Sequence, residues 1–197
     1  MKTTINIKDF ISSNENEDVG AIIQEKLDKL SKGGTLFFPK RTYCISKTIF
    51  FYSNQNLIFE EGAILKRIAS PDTLGSRNLT CGCFLCNWFE TSDTFYTSTV
   101  EASCENVHIV GATFDMGSKA ELNSDSRLKD GVAPINTCNA KNIYIENCIF
   151  KNNYTAHCIE INSSKNVYIS DCVFKDYLGR VDFGGSANDD KLYNEMI

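Results

Sequence analysis

The sequence predicts an all-β solenoid, a coil of short stacked strands preceded by one amphipathic helix. Three observations predict it. A nine-residue phrase recurs with its turn, small and aromatic positions in register. Short β-rich segments follow one another with no helix between them. One stretch near the start has helical spacing.

The phrase is “NVHIVGATF” at Asn106, “NIYIENCIF” at Asn142 and “NVYISDCVF” at Asn166. The last interval is 166 − 142 = 24 residues. The first is 142 − 106 = 36, one turn of the same size plus an insertion. Each phrase opens on Asn, continues with apolar residues two apart, and passes Ala112, Cys148 or Cys172 before Phe114, Phe150 or Phe174. A period in the low twenties with several strands per period marks a solenoid. One such unit cannot bury its own apolar face, so units stack and share a core. Equivalent residues then lie one above another at about 4.8 Å, the spacing of paired strands. The Phe and small positions become ladders inside the coil. The Asn positions fall at turns, where Asn tolerates left-handed backbone. A leucine-rich repeat has a similar period, but its Leu and Asn pattern is absent.

The helix is read over Glu17 to Ser31. Val19, Ile22, Ile23, Leu27 and Leu30 recur at three and four, which puts them on one face. Asn14 or Asn16 is expected to cap its start, and Gly33-Gly34 to end it. Glu25, Lys26, Asp28 and Lys29 form the polar side. The segments “TLFFP”, “TYCIS”, “TIFFYS”, “NLIFEEG” and “AILKR” then read as strands, rich in β-branched and aromatic residues and broken by turn residues. With no helices between them, an alternating α/β fold is excluded. From Ile68 to about Val100 the pattern blurs into long loops around one strand at Phe84 to Cys86. The expected division of residues 1–197, read as one domain, is a capping segment over 1–34, first coils over 35–67, an irregular insertion over 68–103 and regular coils over 104–197.

Composition limits the function. A formal charge of −5 argues against nucleic acid, whose backbone wants a basic face. No run of about 18 apolar residues exists to span a membrane. The start has no apolar stretch of signal-peptide length, so synthesis and folding in the cytoplasm are expected. The 9 cysteines are odd in number and are read as reduced thiols. “CGCFLC” offers Cys81, Cys83 and Cys86, with Cys104, but lacks the second knuckle that makes a zinc motif, so no metal site is assigned.

Two regions resemble the pectate-lyase-like superfamily of right-handed parallel β-helices, which includes polygalacturonase-type glycoside hydrolases and phage tailspike proteins. Residues 7–66 follow the order helix, Gly-Gly, “TLFFPKRTYCIS”, then strand pairs. Residues 104–177 supply the coils. Two features depart from the family: “ISSNENEDVG” replaces a Gly-rich turn before the helix, and Arg41 stands where many relatives have Gly. The sets of paired Asp of the polygalacturonases are absent. The resemblance implies a helix that caps the coil and a saccharide-binding face on the first strand of each coil. The final “KLYNEMI” reads as the start of a further coil's strand, so the chain is expected to be an N-terminal part of a longer β-helix.

On that face “INTCNAKN” (135–142) aligns without a gap to “IEINSSKN” (159–166). Strand alternation then puts Ile159 and Ile161 inward, Glu160 and Cys158 outward, and Glu160 over Asn136. A carboxylate beside an amide can bind sugar hydroxyls or act as general acid or base. His157 beside it has an intrinsic pKa suited to moving a proton. His108, in the second strand of its coil, is read as structural. Inverting hydrolysis needs two carboxyls roughly 6.5–9.5 Å apart, and Asp176 and Asp182 are the available partners. A lyase would instead use Ca²⁺ on carboxylates and a base, for which Arg180 with Asp176 and Asp182 is the nearby set; otherwise no cofactor is expected. Trp88 and Tyr96, with Phe89 and Phe95, lie in the long insertion and could stack on sugar rings. The expected function is action on an acidic polysaccharide, by hydrolysis or elimination. The alternative is a non-catalytic carbohydrate-binding or structural β-helix of a phage tail or surface fibre. In that case the missing signal peptide suits a virion protein, and the tailspike resemblance implies a homotrimer.

Overall fold

The computed structural model describes residues 3–69, 83–87, 104–125, 128, 132–153 and 157–177. Its strands are β1 (Thr4–Asn6), β2 (Gly34–Phe38), β3 (Thr42–Ile45), β4 (Ile49–Phe50), β5 (Gln55–Phe59), β6 (Ile64–Arg67), β7 (Cys83–Cys86) and β8 (Cys104–Val110). They continue with β9 (Thr113–Asp115), β10 (Ala133–Cys138), β11 (Ala140–Glu146), β12 (Ile149–Lys151), β13 (Ile159–Asn162), β14 (Lys165–Ser170) and β15 (Val173–Lys175). From β2 onward every third strand joins the same parallel sheet, and β1 adds to the edge at β2. The first sheet runs β4-β7-β10-β13, the second β1-β2-β5-β8-β11-β14, and the third β3-β6-β9-β12-β15. The chain therefore winds through three sheets per turn as a right-handed parallel β-helix, the hand that parallel crossovers take. The repeat phrases stack as predicted: Val107, Ile143 and Val167 are in register, as are Phe114, Phe150 and Phe174.

The core is a set of ladders. Phe114 and Phe150 stack with centroids 5.0 Å apart and planes 4° from parallel, and Phe150 on Phe174 repeats this at 5.0 Å and 7°. Ala112 and Cys148 are fully buried beside them. The Cys148 thiol donates to the Ile109 and Glu146 carbonyls, and Cys172 repeats the pattern one coil on with Ile145 and Ser170. Burial pushes the Cys148 thiol up to about 12, as befits a core thiol. His108 stacks on Tyr144 at 4.4 Å on the outer face of the second sheet, with Nδ1 3.6 Å from Glu146 Oε2.

The turn asparagines form a hydrogen-bonded row. Asn54, Asn106, Asn142 and Asn166 all have φ between 56° and 63°. Asn166 Nδ2 donates to Asn142 Oδ1 (3.0 Å), Asn142 to Asn106 (3.0 Å) and Asn106 to Asn54 (3.1 Å). Asn is chosen here because it accepts the left-handed bend at each corner and bonds its copy in the next coil. Asn142→Ala is expected to cost about 2 kcal/mol in urea unfolding, and Asn142→Gly to restore roughly the 1 kcal/mol due to backbone. Equal losses for both would place the whole effect in the amide bonds.

The N-terminal helix, α1, spans Gly20–Lys29, shorter than the expected Glu17 to Ser31. Its buried face, Ile23 and Leu27, joins the core with Val19 and Leu30. Neither Asn14 nor Asn16 caps it. The N-cap is Val19, and Asp18 takes over by accepting from the Gly20 N–H at 2.9 Å. Lys26 is not a solvated polar residue: it is buried, 3.8 Å over the Phe10 ring and paired with Glu25 at 3.1 Å. At the other end Gln55, fully buried, donates to the Leu27 and Leu30 carbonyls and accepts from the Tyr52 N–H. Gly33 follows at φ 101°, where a Cβ would come within 2.8 Å of Asn54. The strand β1 and a 3-10 turn at Ile7–Phe10 have no helical or alternating period and were not expected from the sequence.

The two departures from the family pattern belong together. The Arg41 guanidinium donates to the Ser12 carbonyl at 2.7 Å and the Asn14 carbonyl at 3.0 Å. It thereby holds the segment that stands in place of the Gly-rich turn. Arg41→Ala is expected to speed amide exchange over residues 12–17 and to lower stability by about 1 kcal/mol. Unchanged exchange there would show that the segment holds itself.

The extra residues of the long repeat all lie between β9 and β10 and contain a second helix, α2 (Lys119–Ser124). A capping box of Ser118 and Glu121 starts it. An ion pair from Lys66 to Glu121 ties it to the third sheet, and Arg67 donates to the Leu128 carbonyl at 3.1 Å. Burial pushes the Glu121 carboxyl up, but bonds from Lys66 and Ser118 outweigh it and leave the carboxyl below its ordinary value. A carboxyl lowered in the folded state contributes stability above its ordinary pKa and loses it as pH falls through the lowered value. Acid titration into that range is therefore expected to raise amide exchange in α2 before the coil itself unfolds. Simultaneous loss of both would show that α2 is not separately held.

Candidate functional site

The outer face of the first sheet brings together three of the predicted residues, Asn136, Glu160 and His157. Strands β10 and β13 pair with Asn136 opposite Glu160 and Ile135 opposite Ile159, the register that the gap-free alignment required. Alternation turns Ile135 into the core, fully buried, and Glu160 outward with its side chain 33% exposed. Among the described strands of this sheet Glu160 is the only carboxylate.

Both Glu160 oxygens are engaged. Asn136 Nδ2 donates to Oε2 at 2.7 Å, and His157 Nδ1 lies 3.4 Å from Oε1. Asn136 is buried rather than open to a ligand, and its Oδ1 accepts from Asn162 Nδ2 at 3.1 Å. Its role in this geometry is to orient the carboxylate, while His157, 59% exposed, presents the accessible edge of the cluster. Asn162 was not singled out in the sequence. Its signal was present, since it follows Glu160 by two residues and so shares its face. Asn87 supports the group from the coil before. Its side-chain amide bonds both the N–H and the C=O of Cys138, at 2.9 and 2.8 Å. Cys158, two residues before Glu160, has its thiol raised by burial, which disfavours the nucleophilic thiolate.

The other candidates do not gather at this point. Asp176 lies at the turn after β15, on the third sheet, at φ 56° and in line with Asn152 at φ 59° of the coil before. Among the described residues no contact joins it to Glu160. Asp182, Arg180, Trp88 and Tyr96 lie outside the described residues, as does Cys81. Among the described residues no group of three or more His, Cys, Asp and Glu is placed to hold a metal ion. Chemically, the cluster is one carboxylate held by an amide and touching an imidazole: it can bind hydroxyls and move a proton.

No family model matches the chain. The plasmin and fibronectin-binding protein A of Streptococcus pneumoniae is 26% identical over 175 residues, which are 82% of this chain and 22% of that protein. The crystal structure of PfbA, a surface adhesin of Streptococcus pneumoniae, superposes with a TM-score of 0.71 at 24% identity, over 89% of this chain and 39% of that one. A family 28 exopolygalacturonase of Yersinia enterocolitica gives a TM-score of 0.66 at 12% identity, over 90% of this chain and 39% of that one. This chain thus spans well under half the length of each of these three proteins.

Proposed function

We propose, from a fold that is that of the pectate-lyase-like right-handed parallel β-helices, that this chain acts on an acidic polysaccharide laid along the outer face of its first sheet. The observation that carries the reading is the Asn136–Glu160–His157 cluster, a fixed carboxylate with an exposed imidazole beside it. Glu160 moves or withholds a proton, His157 relays it, and Asn136 keeps the carboxylate in position. The described strands supply one carboxylate where inverting hydrolysis uses two. Hydrolysis would need a second acid, for which Asp182 is the sequence's candidate, and elimination would need a base with Ca²⁺ on carboxylates, for which Arg180 with Asp176 and Asp182 is its candidate set. Incubation with polygalacturonate, alginate and carrageenan separates the two. New reducing ends without unsaturation indicate hydrolysis, and unsaturated ends indicate elimination.

A second reading is a carbohydrate-binding surface protein without catalysis. The likeness to a surface adhesin at 24–26% identity favours it. Binding on a glycan array with no product from any of the three polymers would establish this reading over the first.

A further inference from the structure

A groove lies on the outer face of the third sheet, away from Glu160. It is open to solvent along one side and has a volume of about 450 Å³, within the range of ligand sites. Its floor is made of outward residues of β3, β6 and β9: Thr42, Cys44, Ile64, Lys66 and Asp115. The core residues between them, Tyr43, Leu65 and Phe114, point the other way and are buried. Its two walls are the two irregular parts of the described coil. One is the segment before α1, through Asn16, held by Arg41 and bridged to β3 at Asp18 and Cys44. The other is α2, through Glu121. In repeat proteins an insertion such as the one that carries α2 often lies on the face that binds.

The charges of the groove are already matched. Lys66 is paired with Glu121. Asp115 accepts from Lys151 at 3.0 Å, from Asn152 Nδ2 at 2.7 Å and from the Gly117 N–H at 3.3 Å. An anionic or cationic ligand would have to break one of these pairs. What the groove offers instead is an array of fixed donors and acceptors, with a hydroxyl at Thr42 and an amide at Asn16, beside the apolar Ile64 and Ile68. That combination matches a ligand with many hydroxyls, apolar C–H faces and no charge.

We propose that this groove binds a neutral saccharide unit, as a site separate from the Glu160 face. The test is amide chemical-shift mapping of the labelled 197-residue chain with cellobiose, maltose and N,N′-diacetylchitobiose, and with digalacturonate as the charged comparison. The expected result is that at least one neutral disaccharide shifts amides of β3, β6 and β9. Thr42→Trp, a residue at home on a strand face, should fill the groove and remove those shifts. Lys66→Met should weaken them at least tenfold, and Glu160→Gln should leave them unchanged. Shifts from none of the neutral sugars, shifts that survive Thr42→Trp in a protein with an unchanged spectrum elsewhere, or a preference for digalacturonate at these strands would each overturn the proposal. Loss of activity or binding at Glu160 would leave this outcome untouched, because the two faces are read by different amides.

Discussion

Glu160→Gln is expected to lower turnover of an acidic polysaccharide by about a hundredfold or more, the share that a positioned proton-transfer group supplies. Glutamine keeps the shape and still accepts from Asn136 Nδ2, so the β10–β13 pairing should survive. What it removes is the negative charge beside His157 and the capacity to take a proton. The loss should therefore appear in kcat, with KM changed little. Asn136→Ala should give a smaller fall in kcat, because it frees the carboxylate without removing it. Melting curves of all three proteins check that the coil is intact. If the non-catalytic reading holds, no turnover exists to lose, and Glu160→Gln should instead weaken glycan binding. A variant that keeps both activity and binding would remove Glu160 from the site.

The largest stability effect is expected at Phe150. Its ring is fully buried and stacked on both sides, against Phe114 and Phe174. Phe150→Ala should cost about 3–5 kcal/mol in denaturant unfolding, from lost transfer energy and the cavity left behind. Against a typical total of roughly 5–15 kcal/mol, that change alone brings the fold near its limit. Phe174→Ala is the internal comparison. The same ring one coil on is 53% exposed, so its removal should cost about 1 kcal/mol. If the two variants proved equal, stacking rather than burial would dominate the ladder.

The architecture was legible because its letters repeat in register. Phe114, Phe150 and Phe174 mark the core, and Asn106, Asn142 and Asn166 mark the corners, so period and strand direction followed from spacing alone. The stacking of Glu160 on Asn136 was legible for the same reason. The burial of Asn136 was not, because it depends on what lies beside the strand rather than along it. Asp176 offers a carboxylate by its letter alone, but its positive φ gives it a turn residue's reason to be there. The helix α2 is six residues long and shows no periodicity, though its Ser118-x-x-Glu121 capping box could have found it. The cap of α1 is not legible because three Asn and Asp residues compete within five positions, and Asp18 is set apart by its tertiary bond from Ser46.

The row of corner asparagines has a direction. Each Nδ2 points back toward the coil made before it, from Asn166 to Asn142 to Asn106 to Asn54. Head-to-tail amides add their dipoles and polarise one another. Reversing one amide would set donor against donor on one side and acceptor against acceptor on the other. The orientation chosen in one coil is therefore imposed on the next. The row therefore gives the solenoid a polar axis, written by side chains that the sequence places a full turn apart.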